Sequence, residues 1–175
     1  MVNNDTLYDY CVIGGGLGGI ISCFILLKKY PDVSILWIDK ENFRCGDLRK
    51  YSCVYANTPM KKMSNFFKEL VPYYQDCLTL CSDNGDCAPY CILSEFVEEL
   101  KNLTRILQNN NQIYTIVTSV LSIDNTDTEN IIKLTTVSDT IYSCKKLIMA
   151  TGCYPKKLDI HTKQIDLYKA LNKCI

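Results

Sequence analysis

The sequence is short of charge imbalance: nineteen Lys and Arg residues balance nineteen Asp and Glu over 175 residues. Without a net positive field, neither nucleic acid nor an anionic membrane surface is an expected partner. It also lacks an apolar run of membrane length. The stretch Ile20 to Leu27 falls far short of the roughly 20 residues a spanning helix needs, and reads as a buried helix. The N-terminus, MVNNDTLYDY, has no basic segment followed by an apolar one, so no secretory signal is expected and a cytoplasmic location is. There is one histidine, His161, in the polar stretch LDIHTKQID; it reads as a solvated residue and not as a general base. Glycine is scarce outside one place. Five of the eight lie between positions 14 and 19, and after them only Gly46, Gly85 and Gly152 remain, which leaves no second glycine-rich turn of the kind described next.

That turn lies in YDYCVIGGGLGGIISCFILL. Tyr10 to Ile13 is rich in β-formers and Ile20 to Leu27 is too long for a buried strand, so the pattern predicts strand, tight turn, helix. Gly14, Gly16 and Gly19 fit G-x-G-x-x-G. The first glycine permits the turn, the second lets a pyrophosphate touch bare backbone, and the third lets the helix lie close to the strand. Unpaired amides at the start of that helix, with the positive end of its dipole behind them, face the phosphates. A glycine turn of this kind also arises for packing alone. The context favours a nucleotide: VSILWIDK reads as a second strand, Val33 to Ile38, ending in Asp39, twenty residues after Gly19. A carboxylate there accepts hydrogen bonds from the adenosine ribose and repels a 2′-phosphate.

With 47% hydrophobic residues, the chain can bury one core, which predicts a single domain with an elaboration. LSEFVEELKNLTRIL predicts an amphipathic helix capped by Ser94, with Val97, Leu100, Leu103 and Leu107 on one face. Three strand-like stretches follow, IYTIVTSVLSI, NIIKLTTV and TIYSC, which suggest a β-meander, and then a short buried strand, Leu147 to Ala150. No repeat or low-complexity segment interrupts this order.

Eleven cysteines in a chain without a signal read as reduced thiols more readily than as a disulfide framework. CLTLCSDNGDCAPYC carries Cys77, Cys81, Cys87 and Cys91 as two C-x-x-x-C pairs. For these four, plain thiols, a zinc site and a redox dithiol all stay open.

Together, the run Gly14, Gly15, Gly16, Leu17, Gly18, Gly19, the acid Asp39, the meander and the closing Ala150, Thr151, Gly152 resemble the FAD-binding domain of flavoprotein oxidoreductases with two dinucleotide-binding domains. That group includes the thioredoxin-reductase-like, glutathione-reductase-like and flavin-containing monooxygenase families. FRCGDLRKYSCVYANTPMKKMSNFF also resembles a segment of flavin-dependent oxidoreductases that run G-D-L-x-x-Y with Asn-Thr downstream. The resemblance implies an α/β, Rossmann-like fold with a parallel sheet, a β-meander and a helical excursion. The FAD-binding domain would occupy 1–155, with a helical, cysteine-rich excursion at about 45–92, and 156–175 would be a tail where relatives begin a second nucleotide domain.

The implied cofactor is FAD. The glycine run would face its pyrophosphate, Asp39 its adenosine ribose with Lys40 following as a surface lysine, and Val120 in the first meander strand its adenine. Ala150, Thr151 and Gly152 would line the phosphate side, and Arg44 to Asn57 would lie toward the flavin ring. Asp47 and Arg49 are either charged groups near that ring or a solvated pair. The implied activity is an FAD-dependent oxidoreductase working with a small-molecule or protein redox partner, and with a second subunit or second copy as a further expectation. Two other classes stay open: a non-catalytic adenine-nucleotide-binding or interaction module, and a zinc-stabilised cysteine-rich domain. No catalytic acid–base pair stands out. Cys45 and Cys53, with seven residues between them, do not make the close dithiol loop of the disulfide reductases.

Overall fold

The computed structural model describes residues 6–51, 53–70, 92–126 and 130–152. Cys77, Cys81, Cys87, Cys91 and His161 lie outside the described residues, as does the stretch 153–175. The chain opens with β1 (Leu7–Ile13), α1 (Leu17–Lys29) and β2 (Ile35–Asp39). A 3₁₀ turn (Gly46–Lys50), α2 (Met60–Leu70) and α3 (Leu93–Gln108) follow, and then β3 (Ile113–Val117), β4 (Val120–Thr126), β5 (Ile131–Thr136) and β6 (Ile141–Met149).

Every residue of β2 is buried, as expected of a strand covered on both faces in a parallel sheet. In α1, Ile20, Cys23, Phe24 and Leu26 are buried while Lys28 and Lys29 occupy the last turn, where cations complement the helix dipole. The helix starts at Leu17, inside the glycine run and earlier than the apolar run suggested. In α3, Phe96, Val97, Leu100, Leu103 and Leu107 form the buried face. Its N-cap is Ile92, with no side-chain capping bond, so Ser94 lies inside the helix and not at its cap.

The six strands form one sheet in the order β3-β2-β1-β6-β5-β4. β3, β2, β1 and β6 run parallel; β6, β5 and β4 form the antiparallel meander. Two expectations need correction. The stretch 113–123 is not one meander strand: β3 extends the parallel sheet at one edge and β4 closes the meander at the other, with only Thr118 and Ser119 between them. Val120 still opens the first meander strand. The segment Leu147 to Ala150 is not a separate buried strand either. It continues β6, whose final residue Met149 is 56% exposed, and Ala150 lies just past the strand.

The short link from β3 to β4 dictates the shape. Six strands laid flat would hold their outer edges about 24 Å apart, whereas the three Cα steps from Val117 to Val120 cover at most about 11 Å. The sheet must therefore curl until its edges meet at Thr118 and Ser119. Two bonds secure the seam: the Thr118 amide donates to the Asp39 carbonyl at 3.1 Å and the Val137 amide to the Ser119 carbonyl at 3.0 Å. Inside the curl, Cys11, Ile13, Leu36 and Ile38 of the parallel strands pack with Leu134, Tyr142 and Cys144 of the meander. The outer face of the parallel strands carries the larger core, in which Val12, Ile35 and Trp37 meet α1 and α3.

Candidate functional site: a dinucleotide cleft at the mouth of the curled sheet

The carboxyl ends of the parallel strands converge on one cleft of about 580 Å³. Ile13 and Gly14 enter it from β1, Ile38, Asp39 and Lys40 from β2, Thr118 to Ile123 from the seam and β4, and Met149, Thr151 and Gly152 from the end of β6. In open parallel sheets this crevice, where strand order reverses about β1, is where ligands bind. Of the sequence-predicted residues, Gly14, Asp39, Lys40, Val120, Thr151 and Gly152 line it, whereas Gly15, Gly16, Leu17, Gly18, Gly19 and Ala150 are not part of its lining. Thr118, Ser119, Leu121, Ser122, Ile123 and Met149 also line it and were not foreseen. The sequence signal for them was slight: a polar Thr-Ser pair interrupting a β-branched run.

Each glycine of the turn meets a different demand. Gly14 has φ +119, and a Cβ there would overlap the Ala150 carbonyl oxygen. This close approach brings the Ala150-Thr151-Gly152 turn against the glycine turn, as the resemblance implied, with the Ala150 amide donating to the Ile13 carbonyl at 2.8 Å. A Cβ on Gly19 would overlap the Gly14 carbonyl oxygen, so α1 sits on the turn only because position 19 is bare. A Cβ on Gly15 would stand 2.7 Å from the Asp39 carboxyl carbon. At Gly18 the nearest atom would be the Ala150 Cβ at 3.6 Å, an ordinary contact.

Gly16 differs from these. Its φ of −83 and ψ of −175 suit any residue, and a Cβ there would meet only the Gly46 Cα, at 4.0 Å. The protein itself gives no packing reason for glycine at this position. Gly16 is the N-cap of α1, no side chain caps the helix, and its first turn holds no acid. The first-turn amides therefore have no intrahelical acceptor, and no acid of the helix itself offsets the positive end of its dipole; the nearest carboxylate, Asp39, accepts the Gly15 amide just before the cap. A diphosphate suits such a cradle.

Asp39 is 8% exposed, and its carboxylate is already engaged by backbone. Oδ2 accepts the Gly15 amide at 2.7 Å, and Oδ1 accepts the Glu41 and Phe43 amides, both at 2.8 Å. A carboxylate offers about four acceptor positions, so three protein bonds leave capacity for a ligand hydroxyl. Asp39→Asn places an amide donor against these donors. It is expected to lower stability by about 1–3 kcal/mol, read by urea denaturation against Asp39→Glu.

The bonds to Glu41 and Phe43 hold a tight segment. Asn42, Phe43 and Cys45 all have left-handed backbone, with φ of 57, 55 and 63, and Gly46 follows at φ 59. Such conformations cost about 1–3 kcal/mol each for non-glycine residues. The Phe43 ring, packed on Trp37 with centroids 4.6 Å apart, helps to offset this. The segment brings Gly46 against Gly16. Beyond it, Arg49 pairs with Glu41, and Lys50 pairs with Asp47 at 2.6 Å. Asp47 and Arg49 thus do not pair with each other but each with a different, partly exposed partner.

Cys11, Cys23, Cys45 and Cys144 are free and buried. Burial pushes the Cys45 thiol up to about 11 and raises Cys23 as well. Cys11 is raised by its hydrogen bond to Cys144 and by burial. Cys144, the partner in that bond, is lowered by it. These four are packed thiols, as the reading of reduced cysteines has it, whereas Cys53 is disulfide-bonded and departs from that reading. Among the described residues no group of His, Cys, Asp or Glu is arranged to hold a metal, and no helix is long and apolar enough to cross a membrane.

A Rossmann-type βαβ unit, its glycine turn, a closing meander and a cleft at the strand ends define a dinucleotide-binding domain of the flavoprotein oxidoreductase type. The family model for pyridine nucleotide-disulphide oxidoreductases matches residues 8–174, and the chain belongs to that family. No curated protein matches the sequence. Among solved structures the chain is similar to OTEMO in its complex with FAD and NADP, with TM-score 0.64 and 17% identity over 89% of this chain and 28% of that one. It is also similar to NADP⁺-bound cyclohexanone monooxygenase from Rhodococcus sp. Phi1, with TM-score 0.62 and 18% identity over 87% and 28% of the two chains. A third likeness is to the putative thioredoxin reductase TrxB from Bacillus anthracis, with TM-score 0.53 and 16% identity over 87% and 39%. At these identities the likeness establishes the fold, and the chain spans between 28% and 39% of the length of these structures.

Proposed function

We propose that this chain binds FAD in the cleft and acts as the cofactor-binding half of an oxidoreductase. In this reading the diphosphate lies against Gly16 and the first-turn amides of Leu17, Gly18 and Gly19. Asp39 accepts the adenosine ribose with Lys40 beside it, and Val120 meets the adenine among the apolar side chains of Leu121, Ile123 and Met149. Ala150, Thr151 and Gly152 border the phosphates. One observation carries the reading: Gly16 is bare although neither its backbone nor its neighbours require it, and it stands at an uncapped helix start. Family membership and the FAD and NADP in the OTEMO complex support FAD as the ligand.

When bound, FAD supplies an isoalloxazine ring that accepts and donates hydride or electrons. The chain's own part is orientation and electrostatics. Asp39 fixes the ribose end, the α1 dipole offsets phosphate charge, and the segment 42–46 walls the turn toward the flavin side. The electron donor and acceptor are a small-molecule or protein redox partner.

The test is purification without added cofactor followed by titration with FAD. Saturable binding with a perturbed visible flavin spectrum, competed by ADP, is the expected result. A folded protein that takes up neither FAD nor any other adenylate at millimolar supply would overturn the proposal. Bleaching of the flavin bands by a reduced nicotinamide or a dithiol checks the redox half.

A further inference from the structure

We propose that Trp37 is a positioning residue that sets the glycine turn in its ligand-ready form before any cofactor arrives. Trp37 is the only tryptophan of the chain and is fully buried. Its indole Nε1 donates to the Gly14 carbonyl at 2.9 Å. That same carbonyl oxygen occupies the place a Cβ on Gly19 would take, and the Trp37 Nε1 would stand 3.2 Å from such a Cβ. The Gly14 carbonyl is thus held between the bare face of Gly19 and the indole N–H.

Trp37 does not act alone. The last three residues of β2 bind two successive residues of the turn: Trp37 takes the Gly14 carbonyl, the Ile38 carbonyl takes the Gly14 amide at 2.7 Å, and Asp39 takes the Gly15 amide at 2.7 Å. With Gly14 and Gly15 pinned from β2, the next peptide groups, at the helix start, are presented in one orientation. A turn rich in glycine loses much backbone freedom on ordering. A scaffold that orders it during folding removes that cost from ligand binding. An aliphatic side chain at position 37 could fill the same core space but has no donor for the Gly14 carbonyl.

The affinity part of this inference rests on the FAD reading; the ordering part does not. Two variants separate hydrogen bond from volume. One is Trp37→Phe, and the other is biosynthetic replacement of Trp37 by 3-benzothienylalanine, which keeps the bicyclic shape and lacks the N–H. In the protein without ligand, amide hydrogen exchange at Gly14, Gly15 and Ile20, whose amides donate to the Ile38 carbonyl, the Asp39 carboxylate and the Gly16 carbonyl, is expected to speed up about tenfold in the isosteric variant, while Leu134 and Tyr142 in the meander stay unchanged. FAD affinity is expected to fall about three- to tenfold, the equivalent of one neutral hydrogen bond. Unchanged exchange at the turn in the isosteric variant, or a uniform rise across the sheet, would reduce Trp37 to a core filler and overturn the inference. Because exchange is read without cofactor, failure of wild-type protein to bind FAD leaves this test standing on its own.

Discussion

Gly19→Ala is expected to destabilise the fold by about 3 kcal/mol, the upper end of what an added methylene costs in a packed site. For a chain of this size that corresponds to a fall in Tm of roughly 6–12 °C. The cause is local: the new methyl group would overlap the Gly14 carbonyl oxygen, which is pinned from below by Trp37 and cannot swing aside. Helix α1 must then lift from the turn, separating Ile20, Cys23 and Phe24 from the core they share with Trp37. Gly14→Ala is expected to cost as much, since position 14 adds a left-handed φ of +119 to an overlap with the Ala150 carbonyl. Gly18→Ala is the control. Its methyl meets only an ordinary contact at 3.6 Å, and alanine is favoured over glycine inside a helix by up to about 1 kcal/mol, so stability should hold or rise slightly. Because the carbonyl that a methyl group at position 19 would overlap belongs to residue 14 itself, the two sites are coupled, and the double variant should lose less than the sum of the two single losses. Thermal and urea unfolding of the four proteins checks all of this; a Gly19→Ala protein as stable as the parent would mean that α1 is not seated on the turn.

Much of the cleft was legible because its rules are local. Glycine spacing, the distance to Asp39 and the Ala150-Thr151-Gly152 turn each follow from what a strand, a turn and a helix can do over a few residues. What was not legible depended on residues far apart in sequence meeting in space. In the run 113–123 the polar pair Thr118 and Ser119 is the one slight interruption of a β-branched composition, and such a pair does not say that it joins opposite edges of a sheet; only the curl does. The continuity of β6 was hidden by Lys145 and Lys146, which look like a break between two strands although the ladder with β1 runs past them. The left-handed segment 42–46 was hidden because phenylalanine and cysteine are not residues that announce positive φ. In the run ILWID, Trp37 reads as one more buried aromatic, since its role lies in a hydrogen bond to a carbonyl 23 positions earlier.

Gly16→Ala is expected to divide stability from binding. The methyl group enters space whose nearest protein atom would be the Gly46 Cα at 4.0 Å, and the backbone at φ −83 accepts alanine without strain. Unfolding free energy should therefore fall by no more than about 1 kcal/mol, the cost of alanine in place of glycine at a helix N-cap. FAD affinity should fall tenfold or more, about 1.4 kcal/mol, because the methyl group keeps a diphosphate from reaching the first-turn amides of α1. Gly16→Val should abolish measurable binding, and its branched side chain is the harder test of the fold. Titration of each folded variant with FAD, set beside its urea curve, reads the two quantities independently. Loss of both together would mean that position 16 serves packing after all. Retention of both would move the diphosphate away from the glycine turn and would leave the open space at Gly16, on which the functional reading turns, without a purpose.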